Sequence, residues 1–337
     1  MDPYYGYPYP WDYEQYIRTQ QIRQMRHGYS VQGWAVLIYA VIMYAAVFLV
    51  MFIDSILKSM RSMAMTGAVD EQWVEASVLQ NTGWGYLLAI VIGFMVLLLW
   101  KKPQFTFDTI WKRNQPMKVG GFFRILSLFM STQTVFILLA ILMEILLNQI
   151  GMTSVANEAL DYGGLSMFLY IGIGAPISEE LLFRGLVLRS MEPYGKKFAI
   201  FASALLFGLF HGNLSQAPHA FCVGLVLGYV TLEHNIAWAM VLHMFNNLII
   251  SDVSGRLSQL LPGGVVEVAL VILLFGFTIA AVATLISKRA EIRSYLEENL
   301  NFPGCAKAFW SAPGIIVLLI FLGISIVLSL MDSVVPL

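Results

Sequence analysis

The stretch ASVLQNTGWGYLLAIVIGFMVLLLW, residues 76–100, contains no Asp, Glu, Lys or Arg. As a helix rising 1.5 Å per residue it is about 37 Å long, enough to cross the ~30 Å hydrocarbon core of a bilayer. Working outward, Ile125–Met143, Tyr162–Ser178, Phe198–Leu232 and Ala308–Met331 are also charge-free and approach or exceed the required length. Only 12% of the 337 residues are charged, against about 25% in a soluble domain, and 58% are hydrophobic. Mean hydropathy is +0.72. These values exclude an ordinary water-soluble protein and predict an all-α polytopic transmembrane bundle of about eight or nine spans, resident in the cell membrane.

The expected spans are 31–53, 83–100, 124–148, 165–188, 198–214, 219–232, 236–251, 264–287 and 314–331, the sixth and seventh being short. Threaded alternately with a cytoplasmic N-terminus, they leave only Lys58, Arg61 and Arg256 of the basic residues on the outer side, as the positive-inside rule requires. Residues 1–12 read as a Tyr/Pro-rich tail and QYIRTQQIRQMRH, residues 15–27, as a short basic interfacial segment; the first thirty residues lack the layout of a signal peptide. Loop 54–82 is expected to be an external excursion with a short amphipathic helix. The chain divides into this N-terminal segment (1–30), N-terminal spans (31–158), a polar-residue-bearing core (159–253) and C-terminal spans (254–337).

A formal net charge of −1 and the lack of a basic stripe argue against a nucleic-acid partner. Cys222 and Cys305 form no disulfide framework or metal-finger spacing.

An ionisable side chain within a span costs about 2.5–3.5 kcal/mol on insertion scales, so each one needs a reason. Glu144 is expected to snorkel or pack. Glu180 and Arg184 are i,i+4 and can pair on one helix face, while Glu179 is turned about 100° away toward a different surroundings. His243 and Asn247 share a face at i,i+4, and so do Phe207 and His211, with Phe207 read as packing only. His219 and His234 are read as structural, at interfaces. Three helices can thus bring together a carboxylate, two imidazoles and an amide.

The ordered motifs E179-E-L-L-F-R184, F207-G-L-F-H211 and H243-M-F-N-N247 resemble those of the CAAX protease and bacteriocin-processing (Abi, type II CAAX endopeptidase) family, over roughly residues 160–253. The resemblance implies a glutamate-dependent intramembrane endopeptidase. By motif position, Glu179 with His211 would activate a water, His243 with Asn247 would stabilise the oxyanion, and Glu180 with Arg184 would support the helix. It implies no cofactor and no metal, with a Glu179/His211/His243 zinc site as the alternative. The expected partners are a peptide or protein substrate at the membrane, lipidated or not, and the bilayer itself. Competing readings are a non-proteolytic scaffold or immunity protein, and a transporter or proton relay. The chain ends in SVVPL and so lacks a C-terminal C-a-a-X of its own. With the spans drawn as above, Glu179 and His211 differ in depth by about 10 Å, a mismatch that a helix break or shifted boundaries would have to remove.

Overall fold

The computed structural model describes residues 10–101, 107–154, 164–253, 257–258, 260–261 and 264–336. The described chain is almost entirely helical. The long elements are α1 (Pro10–Thr66), α2 (Glu71–Lys101), a single turn α3 (Phe107–Ile110) and α4 (Val119–Gln149). They are followed by α5 (Leu165–Tyr194), α6 (Lys196–Phe210), α7 (Gln216–Glu233) and α8 (Ile236–Phe245), which continues as a wide π-type stretch over Asn246–Val253. The chain then forms α9 (Val265–Ser287), α10 (Arg289–Glu298), α11 (Cys305–Trp310) and α12 (Pro313–Ser333). Six helices, α1, α2, α4, α5, α9 and α12, are long and apolar enough to cross a membrane. The three expected spans between α5 and α9 are present as the shorter helices α6, α7 and α8.

One sequence-based expectation is corrected. The excursion at 54–82 is not a loop: α1 runs on to Thr66 and α2 starts at Glu71, so the two form a long antiparallel hairpin turned in four residues. Its extension is tied by polar bonds, Asp54 to Lys58 at 2.7 Å and to Asn81 at 3.2 Å. At 57 residues, α1 is about 85 Å long and must project beyond a ~30 Å core. The basic segment 15–27 is part of α1, continuous with the expected first span. Met25 and Tyr29 on α1 are fully buried, and the Tyr29 ring packs within 6.0 Å of Tyr194, Phe198 and Phe309. Of the Tyr/Pro-rich tail, residues 1–9 lie outside the described residues.

Helices in lipid gain nothing by burying apolar surface against one another, so close backbone approach matters more. α1 crosses α12 at Gly33 and Gly314, where a Cβ on Gly33 would sit 2.3 Å from the Gly314 carbonyl carbon. At the far end of α4, Glu144 is held by the turn that follows the helix. It accepts hydrogen bonds from Thr153 Oγ1 (2.6 Å), Ser154 Oγ (2.7 Å) and Ser154 N (3.2 Å). That turn leads into β1 (Met152–Ser154), which pairs antiparallel with β2 (Val334–Pro336) just past α12.

Candidate active site

α5 carries the E-E-x-x-x-R motif and is irregular where the motif sits. Tyr170–Gly174 and Leu181–Leu188 are wound as π-helix, flanking the α-helical turn Ala175–Glu180. The first widening follows from Pro176, which has no N–H to give. Ala175 N donates to Tyr170 O, leaving the Ile171 carbonyl without a helical donor. Asn247 Nδ2 supplies one from α8's π-type extension, at 2.9 Å. In the second widened stretch, the Phe183 carbonyl accepts Ser203 Oγ of α6 at 2.8 Å. Such π-bulges are rare and concentrate at functional sites.

α5 turns into α6 at Gly195, whose φ of 125° is open to glycine. Counting from it, Glu179 is 16 residues back (195 − 179) and His211 is 16 residues forward (211 − 195). The expected depth mismatch is therefore absent. α5 continues past residue 188 to Tyr194, and α6 stops at Phe210 rather than running to 214. The stop is a helix C-cap: Gly212 takes φ 62° and donates to Leu209 O at 3.0 Å, with His211 N on Gly208 O. Asn213 Oδ1 then accepts Ser215 N at 2.8 Å and Ser215 Oγ at 2.6 Å, which closes the turn into α7. A helix of 15 residues is about 22 Å long, so α6 places His211 at its tip partway through the bundle.

Glu179, His211, His243 and Asn247 all line one cavity of about 420 Å³. The two adjacent carboxylates part ways as expected but meet the same imidazole. Glu180 is wholly buried, 3.2 Å from Arg184 Nη1, and its Oε1 lies 3.0 Å from His243 Nδ1. Glu179 faces the cavity with its side chain 14% exposed, and its Oε2 is 3.8 Å from His243 Nε2. That separation is too long for a direct hydrogen bond and fits a bridging water.

Arg184 is also fully buried, donating from Nη2 to Gly224 O (3.4 Å) with its guanidinium 4.2 Å from the Phe207 ring centroid. Phe207 thus does more than pack. Its ring meets His211 edge-on at 4.8 Å and His243 at 5.7 Å, and its carbonyl accepts His211 Nδ1 at 2.9 Å. A carbonyl can only accept, so Nδ1 carries a proton, and in the neutral imidazole Nε2 keeps its lone pair. Asn247 Oδ1 accepts from Asn246 Nδ2 (3.1 Å), and Asn246 Oδ1 accepts from Gln133 Nε2 of α4.

His219, expected to be structural at an interface, also lines the cavity. It stands 3.5 Å from Thr132 Oγ1 and 5.1 Å from the Phe136 ring. The His211-Gly212-Asn213 stop signal could have exposed it, because a hairpin turning there folds the first turns of α7 back beside His211. Tyr86 and Tyr170, stacked at 4.3 Å, add an aromatic wall. His234 is structural as read, bonded through Nδ1 to Gln115 O at 2.8 Å. Among the described residues no three His, Cys, Asp or Glu side chains are arranged to hold a metal ion, so the zinc alternative has no geometric observation in its favour.

Residues 162–249 match the family model described as type II CAAX prenyl endopeptidase Rce1-like, a protease family. The matched segment runs from the start of α5 to the π-type extension of α8 and includes all three motifs, which supports an endopeptidase housed in a multi-pass helical bundle. No curated protein and no solved structure matches the chain.

Proposed function

We propose that the protein is an intramembrane endopeptidase of the CAAX type that hydrolyses a peptide bond with a water activated by Glu179. The observation that carries this reading is the unequal treatment of two neighbouring carboxylates. Glu180 is sealed against Arg184 and His243, whereas Glu179 opens on a cavity that His211, His243 and Asn247 also line. A general base needs access to water and a neighbour to orient it.

In this reading the water sits between Glu179 and His211 Nε2. Its oxygen attacks the scissile carbonyl carbon and its proton passes to Glu179. His243, gripped at Nδ1 by Glu180, turns Nε2 to the cavity and when protonated donates to the oxyanion, with Asn247 beside it. The tetrahedral intermediate collapses with cleavage of the C–N bond, and Glu179 returns the proton to the leaving amine. Arg184 and Phe207 act through Glu180 and the histidines and touch no reacting atom.

The substrate is a membrane-associated protein or peptide, prenylated or otherwise lipidated, or a peptide of the bacteriocin type whose processing or immunity depends on cleavage. The Lys/Arg-rich helix ends, with the N-terminus, face the cytoplasm. The test compares membrane-proteome termini in cells carrying wild-type and Glu179→Ala protein at equal abundance. Termini present only with wild type are expected; identical termini would overturn the reading and leave a scaffold.

A further inference from the structure

A second cavity, about 790 Å³, shares no lining residue with the first. It lies between α4, α6, α7, α9 and α10, at the end of the bundle where α4 and α6 begin and α7 and α9 end. Its lining is layered. Lys118 caps the start of α4, Lys197 lies in the first turn of α6, Lys288 follows α9, and Arg124 stands on the second turn of α4. Deeper along the same helices the wall turns apolar, through Ile125, Leu128, Ile200 and Leu285. Leu128 is nine residues past Val119, about 13 Å below the rim.

Of the rim cations, Lys288 is paired with an acidic group, and Lys197 Nζ donates to the Leu296 carbonyl at 2.6 Å, a bond that leaves its charge uncompensated. Glu291 is the acidic residue among the lining groups, and it is paired with Lys288 at 2.5 Å. Glu233 nearby is taken by Lys196 at 2.8 Å and by the Tyr295 hydroxyl at 3.0 Å. Lys118 and Arg124 are exposed and have no acidic partner among the described residues. Lys118 and Lys197 also stand at helix N-termini with no acidic residue in the first turn, where the helix dipole already favours an anion.

Cations above an apolar floor, where the apolar helices α4 and α9 begin and end, match an amphiphile with a negative head and acyl chains. A soluble anion would leave the floor unused, and a neutral lipid would leave the cations unused. We infer that this cavity binds an anionic glycerophospholipid, its phosphate between Lys118, Arg124 and Lys197 and its chains against Leu128 and Ile200. The inference is independent of the chemistry proposed for the first cavity.

The test is native mass spectrometry of the full-length protein in detergent, titrated with dioleoyl phosphatidylglycerol, dioleoyl phosphatidylcholine or inorganic phosphate. Wild type is expected to retain phosphatidylglycerol in preference to phosphatidylcholine. The double variant Lys118→Gln/Arg124→Gln weakens retention of the anionic lipid by about fivefold per cation removed and leaves phosphatidylcholine unchanged. Leu128→Trp, which fills the floor and keeps the cations, also weakens it. Arg18→Gln/Arg23→Gln, which removes the same charge from α1, does not. Undiminished phosphatidylglycerol binding by both cavity variants would overturn the inference. So would an equal loss in the α1 control, or displacement of the lipid by equimolar inorganic phosphate, which would make the cavity a phosphate site only.

Discussion

Oε1 of Glu180 lies 3.0 Å from Nδ1 of His243, which joins α5 to α8 across a fully buried carboxylate. The same oxygen lies 3.2 Å from Arg184, so one acidic side chain neutralises a buried guanidinium and orients an imidazole.

Two substitutions at this position separate those tasks. Glu180→Ala strands the Arg184 charge, which costs about 3–5 kcal/mol, and the protein is expected to lose most of its folded yield in membranes. Glu180→Gln also removes the charge that offsets Arg184 but keeps the shape and a hydrogen-bond acceptor, so it should accumulate better than the Ala variant and yet cleave about 100-fold more slowly as the imidazole loses its anionic partner. Melting temperature and turnover of a substrate identified by the terminus comparison check both.

Glu179→Gln should behave differently. The side chain faces a cavity and holds no buried cation, so the melting temperature is expected to stay within a degree or two of wild type while cleavage falls about 10³-fold. Retained turnover in a folded variant would exclude Glu179 as the base.

Asn247 has a structural task that can be isolated from its place in the cavity. Asn247→Ala leaves the Ile171 carbonyl without its donor, at a cost of about 1–3 kcal/mol. Pro176→Ala restores a backbone N–H beside that carbonyl. The double variant Asn247→Ala/Pro176→Ala is therefore expected to recover thermal stability but not cleavage. Recovery of both would make Asn247 a helix-stabilising residue and nothing more.

Gly195 sets the level at which Glu179 and His211 meet. An Ala there must adopt φ near 125°, with its Cβ 2.7 Å from Asn301 Oδ1 and 2.8 Å from Asn301 Cα. Gly195→Ala is expected to cost about 1–3 kcal/mol, read as a lowered melting temperature. The turn must shift to accept it, so cleavage should fall further than the stability loss explains. An Ala variant with wild-type melting and turnover would remove Gly195 from this account.

The reading of residues 76–100 as a membrane-length helix, and the pairing of Glu180 with Arg184, could be made from the chain alone because both depend on local rules. Hydrocarbon length sets how many uncharged residues must run together, and helical pitch sets which neighbours touch. The four proposed cavity groups were legible for the same reason: in an apolar chain each ionisable side chain stands out. The stop of α6 at Phe210 is local, closed by Gly212 and Asn213 just past its end, but the irregularity of α5 depended on a partner distant in sequence. α5 widens because Pro176 withholds a donor and Asn247 replaces it from 71 residues away (247 − 176). The convergence of Glu179 and Glu180 on His243, the return of His219 to the cavity wall and the layered second cavity arise only when separate helices are docked. No periodicity within a helix encodes which carbonyl a remote side chain will satisfy.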